Sequence, residues 1–221
     1  MTSQTAPQRP SEARERLLST ASGLFYAKGI HAVGVDEIIS RAQVTRATFY
    51  RHFPSKDGLI VQYIRTADQS IRDAVATAVE NPASPESGVR AIADYVASQI
   101  KTPGFRGCAF LNAAAEYPEW QNPIHQAILA HRTWFYETVR DQFSRVSDRA
   151  ELAAKHFVML RDGAMAEGCL SDPESTISTF LHGIDGMLTL GPLRGLIQPP
   201  EDSPAAEASA APIGVERVRQ Q

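Results

Sequence analysis

Apolar residues recur along this chain at intervals of three, four and seven, the spacing of one helix face, whereas strand-like alternation does not recur. Leu17, Ala21, Leu24 and Phe25 share such a face behind Ser11, a capping residue type, and Gly29 ends the run. Gly34 precedes a shorter segment carrying Val35, Ile38, Ile39 and Ala42. After only Gln43 and Val44, Thr45 opens a third. Ser55 begins a long fourth through Leu59, Ile60, Tyr63, Ile64, Ile71 and Val75, which Asn81-Pro82 stops. Further helices are expected at roughly 85–101, 107–117, 123–146, 149–168 and 173–190, separated by Pro, Gly, Asn and Ser-Asp. The pattern predicts an all-α protein, in which a three-helix head with a helix-turn-helix (11–54) is joined through a long helix to a larger helical body (55–197). The two ends, 1–10 and 198–221, are rich in Pro, Ala, Ser and Gln and are expected to be disordered.

Composition narrows the class. At 221 residues, 43% hydrophobic and 21% charged, the chain reads as an ordinary soluble protein of one or two domains. Two cysteines, Cys108 and Cys169, make neither a disulfide framework nor a metal-ligand pair, and suit a reducing cytosol. The start, MTSQTAPQRPSEARER, lacks the apolar core of a signal peptide, and no apolar run is long enough to cross a membrane. The expected location is the cytoplasm, with no membrane partner.

Charge is unevenly spread. Residues 1–66 hold nine Lys/Arg against five Asp/Glu, while 67–221 hold thirteen against twenty, together giving the formal −3. A basic head on an acidic body suggests that the head alone meets a polyanion.

The segment VTRATFYRHFPSKDGLI, from Val44, concentrates the relevant chemistry. Two short helices, Val35–Ala42 and Thr45–His52, separated by two residues, have helix-turn-helix spacing, which lets the second helix enter the major groove of double-stranded DNA. Phe49 and Phe53, four apart, face inward and anchor that helix. Arg46 is suited to the paired acceptors of guanine, and the Ala47 methyl to a thymine methyl. Thr45, Thr48, Tyr50 and His52 suit phosphates, and Lys56 lies in the first turn of the next helix, beside free backbone N–H groups.

GVDEIISRAQVTRATFYRHFPSKDGLI resembles the DNA-binding signature of the TetR family of one-component transcriptional regulators, over about 50 residues from Arg16 to Ile64. The resemblance implies that Arg46, Ala47 and Thr48 meet bases or phosphates and that Tyr50, His52 and Lys56 hold the backbone. Two positions depart from the pattern. Gln43 stands where a turn glycine is usual, and if that position needs φ > 0 it carries strain of about 1 kcal/mol. Gly34 stands where Ser or Thr is usual, which removes a helix cap.

The resemblance further implies a body that dimerises through its last two long helices and holds a small-molecule effector. A stripe of Ile177, Phe180, Leu181, Ile184, Met187 and Leu188, with Phe157, Leu160 and Ala164 on the preceding helix, fits either a dimer seam or an intramolecular core. PGFRGCAFLNAAAEYPEW resembles a Gly-Cys-x-Phe-x-Asn-x-x-x-Glu segment found near the pocket in one branch of the family. Aromatic residues cluster here, among them Phe110, Trp120, Trp134 and Phe135. Expected pocket residues are Tyr63, Tyr95, Cys108, Phe110, Asn112, Trp134 and His156, with Cys108 open to two readings, a reactive thiol or a small buried hydrophobe.

No Gly-rich phosphate loop, metal-ligand pattern or nucleophile elbow occurs, so neither catalytic residues nor a metal or other cofactor is expected. The reading is a homodimeric repressor that binds a near-palindromic operator and is released by a small molecule. Its rivals are an activator or co-repressor-dependent regulator of the same fold, a ligand-binding module without specific DNA binding, and an enzyme with an unfamiliar helical site.

Overall fold

The computed structural model describes residues 11–189, within which nine helices and no strand are found. The expected disordered ends, 1–10 and 198–221, lie outside the described residues. Helix α1 (Glu12–Lys28) is capped by Ser11, whose hydroxyl accepts the Arg14 N–H, and ends at Gly29 with φ +90°. Leu17, Ala21, Leu24 and Phe25 are its buried face, as the spacing predicts. Helices α2 (Val35–Ala42) and α3 (Arg46–His52) follow. Ser55 caps α4 (Lys56–Val79) by accepting the Gly58 N–H at 3.0 Å.

The body continues with α5 (Pro85–Ile100), started by a Ser84–Ser87 capping box with proline in its first turn, and α6 (Ala109–Glu116). Helix α7 (Pro123–Phe143) is capped by Asn122. Helices α8 (Ala150–Glu167) and α9 (Pro173–Thr189) complete it. Helix α1 packs on α2, α3 and α4; α4 runs on into the body against α5 and α7; α8 lies between α7 and α9. One buried cluster extends from Leu17 and Phe49 in the head, through Leu59, Ile60 and Ile64 of α4, to Phe157 and Phe180. Helix α4 therefore joins the core of the head to that of the body.

The stripe singled out as a dimer seam is largely this inner core. Phe157, Ala164, Phe180 and Ile184 are buried within the single chain, and the Phe157 and Phe180 rings meet edge-on at 6.0 Å. Leu160, Ile177, Leu181 and Leu188 are half-buried against the same cluster. The reason is rotational: α8 spends its most apolar face on α7 and α9, and α9 spends its own on α8 and α5. Gly183 lets Leu160 approach, since a Cβ there would stand 2.7 Å from its Cδ2. What α8 leaves exposed is a different row, Leu152 and Met159, with Gly163 further along the same side.

Candidate nucleic-acid interface

Thr45 caps α3: its hydroxyl accepts the Thr48 N–H at 3.1 Å and lies 2.9 Å from the Thr48 hydroxyl. The two threonines thereby fix the start of the helix that carries the expected contacts. Phe49 and Phe53 are buried with ring centroids 6.2 Å apart, so α3 is pinned along one side. That leaves Arg46, Ala47, Tyr50 and Arg51 exposed on the other. Tyr50 keeps 44% of its surface exposed while its ring meets Phe49 edge-on.

The α2–α3 turn has the geometry the sequence put in question. Gln43 sits at φ +53° and ψ +48°, the only non-glycine with positive φ among the described residues. The Val44 N–H reaches back to the Ile39 carbonyl at 3.2 Å, the six-to-one bond of a Schellman end. The glutamine thus accepts a left-handed conformation suited to glycine, and the turn is kept at a cost in strain. Gly34 begins α2 with no side-chain cap, as its lack of a hydroxyl requires.

Three expected contact residues have partners inside the protein. Arg46 pairs with Asp36 of α2, both side chains well exposed. The His52 ring nitrogen Nε2 lies 3.1 Å from the Ser11 hydroxyl, tying the end of α3 to the start of α1. The Lys56 ammonium turns inward and donates to the Ile30 carbonyl at 2.7 Å, 6.0 Å from the Phe25 ring centre. Burial there pulls its pKa below that of an exposed lysine. Lys56 consequently braces the α1–α2 turn, and a phosphate would have to draw it away.

The same turn is gripped from the body. Glu116, the last residue of α6, accepts the N–H of Ile30 at 2.8 Å and of His31 at 2.6 Å. At the other end of α6, the Tyr26 hydroxyl donates to the Gly107 carbonyl and accepts the Arg106 N–H, each at 2.9 Å. The Asn112 amide donates to the Arg106 carbonyl. The segment Gly107-Cys108-x-Phe110-x-Asn112-x-x-x-Glu116 is therefore a strap whose two ends are bonded to the head. Tyr26 escaped the sequence reading, and Glu116 was read only as the last position of the segment near the pocket, because their partners are backbone groups some 80 residues away.

Beside this strap lies a cavity of about 300 Å³ bounded by α4, α5, α6 and α8. Tyr95, Cys108 and Phe110 line it, as expected. The other candidates do not. Tyr63 is buried against Phe25 and, with Asn112, faces a separate cleft between α1 and α6. The Trp134 indole lies under the Arg72 guanidinium, 4.3 Å away. His156 is exposed, because Phe157 beside it takes the inward position on α8. Trp120, 67% exposed, lies beyond α6.

Charged residues that periodicity concealed stand at or near the cavity. Arg161 of α8 lines it while only 5% exposed, with Nη1 3.2 Å from the Cys108 sulfur and 2.9 Å from Asp162. This contact gives the buried Cys108 sulfur a polar partner. Behind Phe110, and stacked on it at 3.6 Å, is His131, whose Nδ1 lies 2.7 Å from Asp68. Burial drives the His131 pKa down to about 4 against the opposing pull of Asp68. No cluster of potential metal ligands occurs among the described residues, and no helix among them is long and apolar enough to cross a membrane.

Residues 17–63 match the family model for bacterial regulatory proteins of the tetR family. The chain is 54% identical to the crystal structure of SCO4454, a TetR-family transcriptional regulator from Streptomyces coelicolor. That alignment covers 80% of this chain and 94% of the other, with a TM-score of 0.78. It is 32% identical over 199 residues to the HTH-type transcriptional regulator EthR of Mycolicibacterium smegmatis, covering 83% of this chain and 92% of that protein. It is 27% identical over 175 residues to the HTH-type transcriptional regulator LmrA of Bacillus subtilis, covering 77% and 92%.

Proposed function

The chain belongs to the TetR family of transcriptional regulators, and on that premise we propose that it is a homodimeric repressor released from its operator by a small molecule. The observation that carries this is the strap, because α6 borders the cavity at its start and grips the head's α1–α2 turn at its end. Residues 11–54 act as the DNA-binding head and the rest of the described chain, from 55, as the sensing and dimerising body.

On DNA, Arg46 reads a guanine edge, Ala47 and Thr48 complete the base-facing surface, and Thr45, Tyr50 and His52 hold phosphates. Lys56 contributes through the turn it braces and, once drawn from Ile30, through a phosphate. Two such heads must stand about 34–36 Å apart to meet successive major grooves. The dimer seam is the exposed row on α8, Leu152, Met159 and Gly163, together with the outward side of α9 around Ser178 and His182. An effector in the cavity displaces the start of α6 and the flank of α4, and both movements reach the head. Complete switching, from 99:1 to 1:99, requires the effector to prefer one state by about 5.5 kcal/mol.

The retained helix-turn-helix geometry favours this reading over that of a binding module that has lost its operator. Fragments of DNA selected by the purified protein, placed before a reporter in cells with and without the gene, test it. Repression lost on deletion supports it, whereas output that falls on deletion identifies an activator.

A further inference from the structure

The cavity holds a buried cation whose partners do not satisfy it. Arg161 is 5% exposed and lines the cavity wall. Its Nη1 is committed to Asp162 and to the Cys108 sulfur. Its Nε, fully buried, has no hydrogen-bond partner among the described residues. Nε and Nη2 form one edge of the guanidinium, the edge that binds a carboxylate through two parallel hydrogen bonds. Burying a charged donor without its partner is costly enough that such groups are rare and call for an explanation.

The surrounding charges do not supply one. Asp162 is shared, since Arg132 also holds it, at 2.7 Å from Oδ2. Asp68 is matched by Arg72 at 2.8 Å. His131 adds no charge near neutrality, because burial holds its pKa low. Arg161 is the one charged side chain in the wall among the described residues, and the carboxylate it reaches is divided between two arginines. Most of the rest of the wall is apolar, with Ile71, Val96, Phe105, Phe110, Phe135 and Met165 among its members, and Ser70, Gln99 and Thr102 add uncharged polar side chains. Tyr95 adds a phenol close enough for the Arg161 charge to act on it.

We infer that the cavity takes a monoanionic organic acid, a carboxylate on a small aromatic or hydrocarbon body, with Arg161 as its charge partner. This rests on the reading of the cavity as the effector site and names the effector's class. A volume of about 300 Å³ lies at the lower end for small-molecule sites. It has room for one or two rings or a chain of similar bulk, since a cavity of about 150 Å³ already takes one benzene ring. One guanidinium edge and one phenol meet the needs of a carboxylate. A phosphate dianion would meet only one cationic side chain in that wall. The same guanidinium contacts Cys108 at the start of the α6 strap, so the site and the strap share one side chain.

The test uses the full-length protein and matched pairs of probes. These are benzoate, phenylacetate, 3-phenylpropionate, hexanoate and octanoate, each beside its neutral primary amide. Thermal unfolding and calorimetric titration read binding, and displacement from a selected operator fragment reads regulation. We expect at least one acid to bind saturably and raise the melting temperature, with its amide roughly tenfold weaker or worse. Arg161→Met should erase the difference between acid and amide, and Tyr95→Phe, a milder change, should narrow it severalfold. Amides binding as well as their acids would overturn the inference in the native protein, whatever the Arg161 variant does. So would the failure of every acid to bind. An acid that binds through Arg161 yet leaves DNA binding unchanged would uphold the anion site and refute its role as the effector site.

Discussion

Glu116 Oε1 accepts the backbone N–H of Ile30 at 2.8 Å, across 86 residues of sequence, while Lys56 takes the carbonyl of that same residue. Both polar groups of one turn residue are thus held, one by the body and one by α4. Removing the carboxylate leaves two backbone N–H groups without their partner. Glu116→Ala should therefore lower stability by about 1–3 kcal/mol in urea unfolding. Amide exchange at Ile30 and His31 should speed at least tenfold, while protection in the middle of α8 falls only with global stability. Unchanged exchange at the turn would remove Glu116 from the coupling.

Arg46 is held by Asp36 in the free protein, but both side chains are more than half exposed. Such a pair contributes roughly 0–1 kcal/mol, so DNA can take the arginine at little cost. Asp36→Asn should leave stability within about 1 kcal/mol and tighten DNA binding, since it frees Arg46 and removes a negative charge facing phosphate. Weaker binding by this variant would mean that Asp36 positions Arg46 in the complex instead.

Gln43 carries the left-handed strain of its turn. Gln43→Gly should raise stability by about 1 kcal/mol, less the entropy that glycine adds to the unfolded chain, whereas Gln43→Ala should not. Melting temperatures of the two variants decide it.

The head was legible in the sequence because its signals are local. Ser11, Thr45 and Ser55 each cap the helix they precede, and the Phe49–Phe53 spacing correctly assigns the buried side of α3. The body was legible as helices but not as a site. Its apolar stripe on α8 and α9 was visible, yet a stripe does not say which neighbour it faces, and Phe157 and Phe180 face each other. Arg161 and His131 were missed because a charged or titratable residue on a helix reads as exposed until its surroundings are known. His156, which looks equivalent in sequence, points to solvent.

His131 gives the body a pH dependence. Its pKa, about 4 in the folded chain against about 6.5 unfolded, means that the unfolded state binds more protons between those values. Its contribution to stability is intact above pH 6.5 and is lost as pH falls towards 4, by up to about 3 kcal/mol. Urea unfolding from pH 7.5 to 4.5 should show this loss, and His131→Gln should flatten it. A His131→Gln curve parallel to the wild type would place the dependence elsewhere.

Met159, 71% exposed on α8, separates the two surfaces of that helix. Met159→Arg should yield monomers by analytical ultracentrifugation, with native helicity and loss of operator binding. Phe157→Ala should cost about 3–5 kcal/mol of stability, because it empties a core position. Dimers persisting in Met159→Arg would move the seam to another face.

Whether α3 reads DNA is decided by the affinity of the purified protein for genome-selected fragments, measured across salt concentrations beside Arg46→Ala. Specific binding should weaken steeply with salt and, in Arg46→Ala, fall by about 1–3 kcal/mol with relaxed specificity at one base pair of each half-site. Specific binding left unaltered in affinity and specificity by Arg46→Ala would contradict DNA reading by α3, as would selection that returns no enriched sequence.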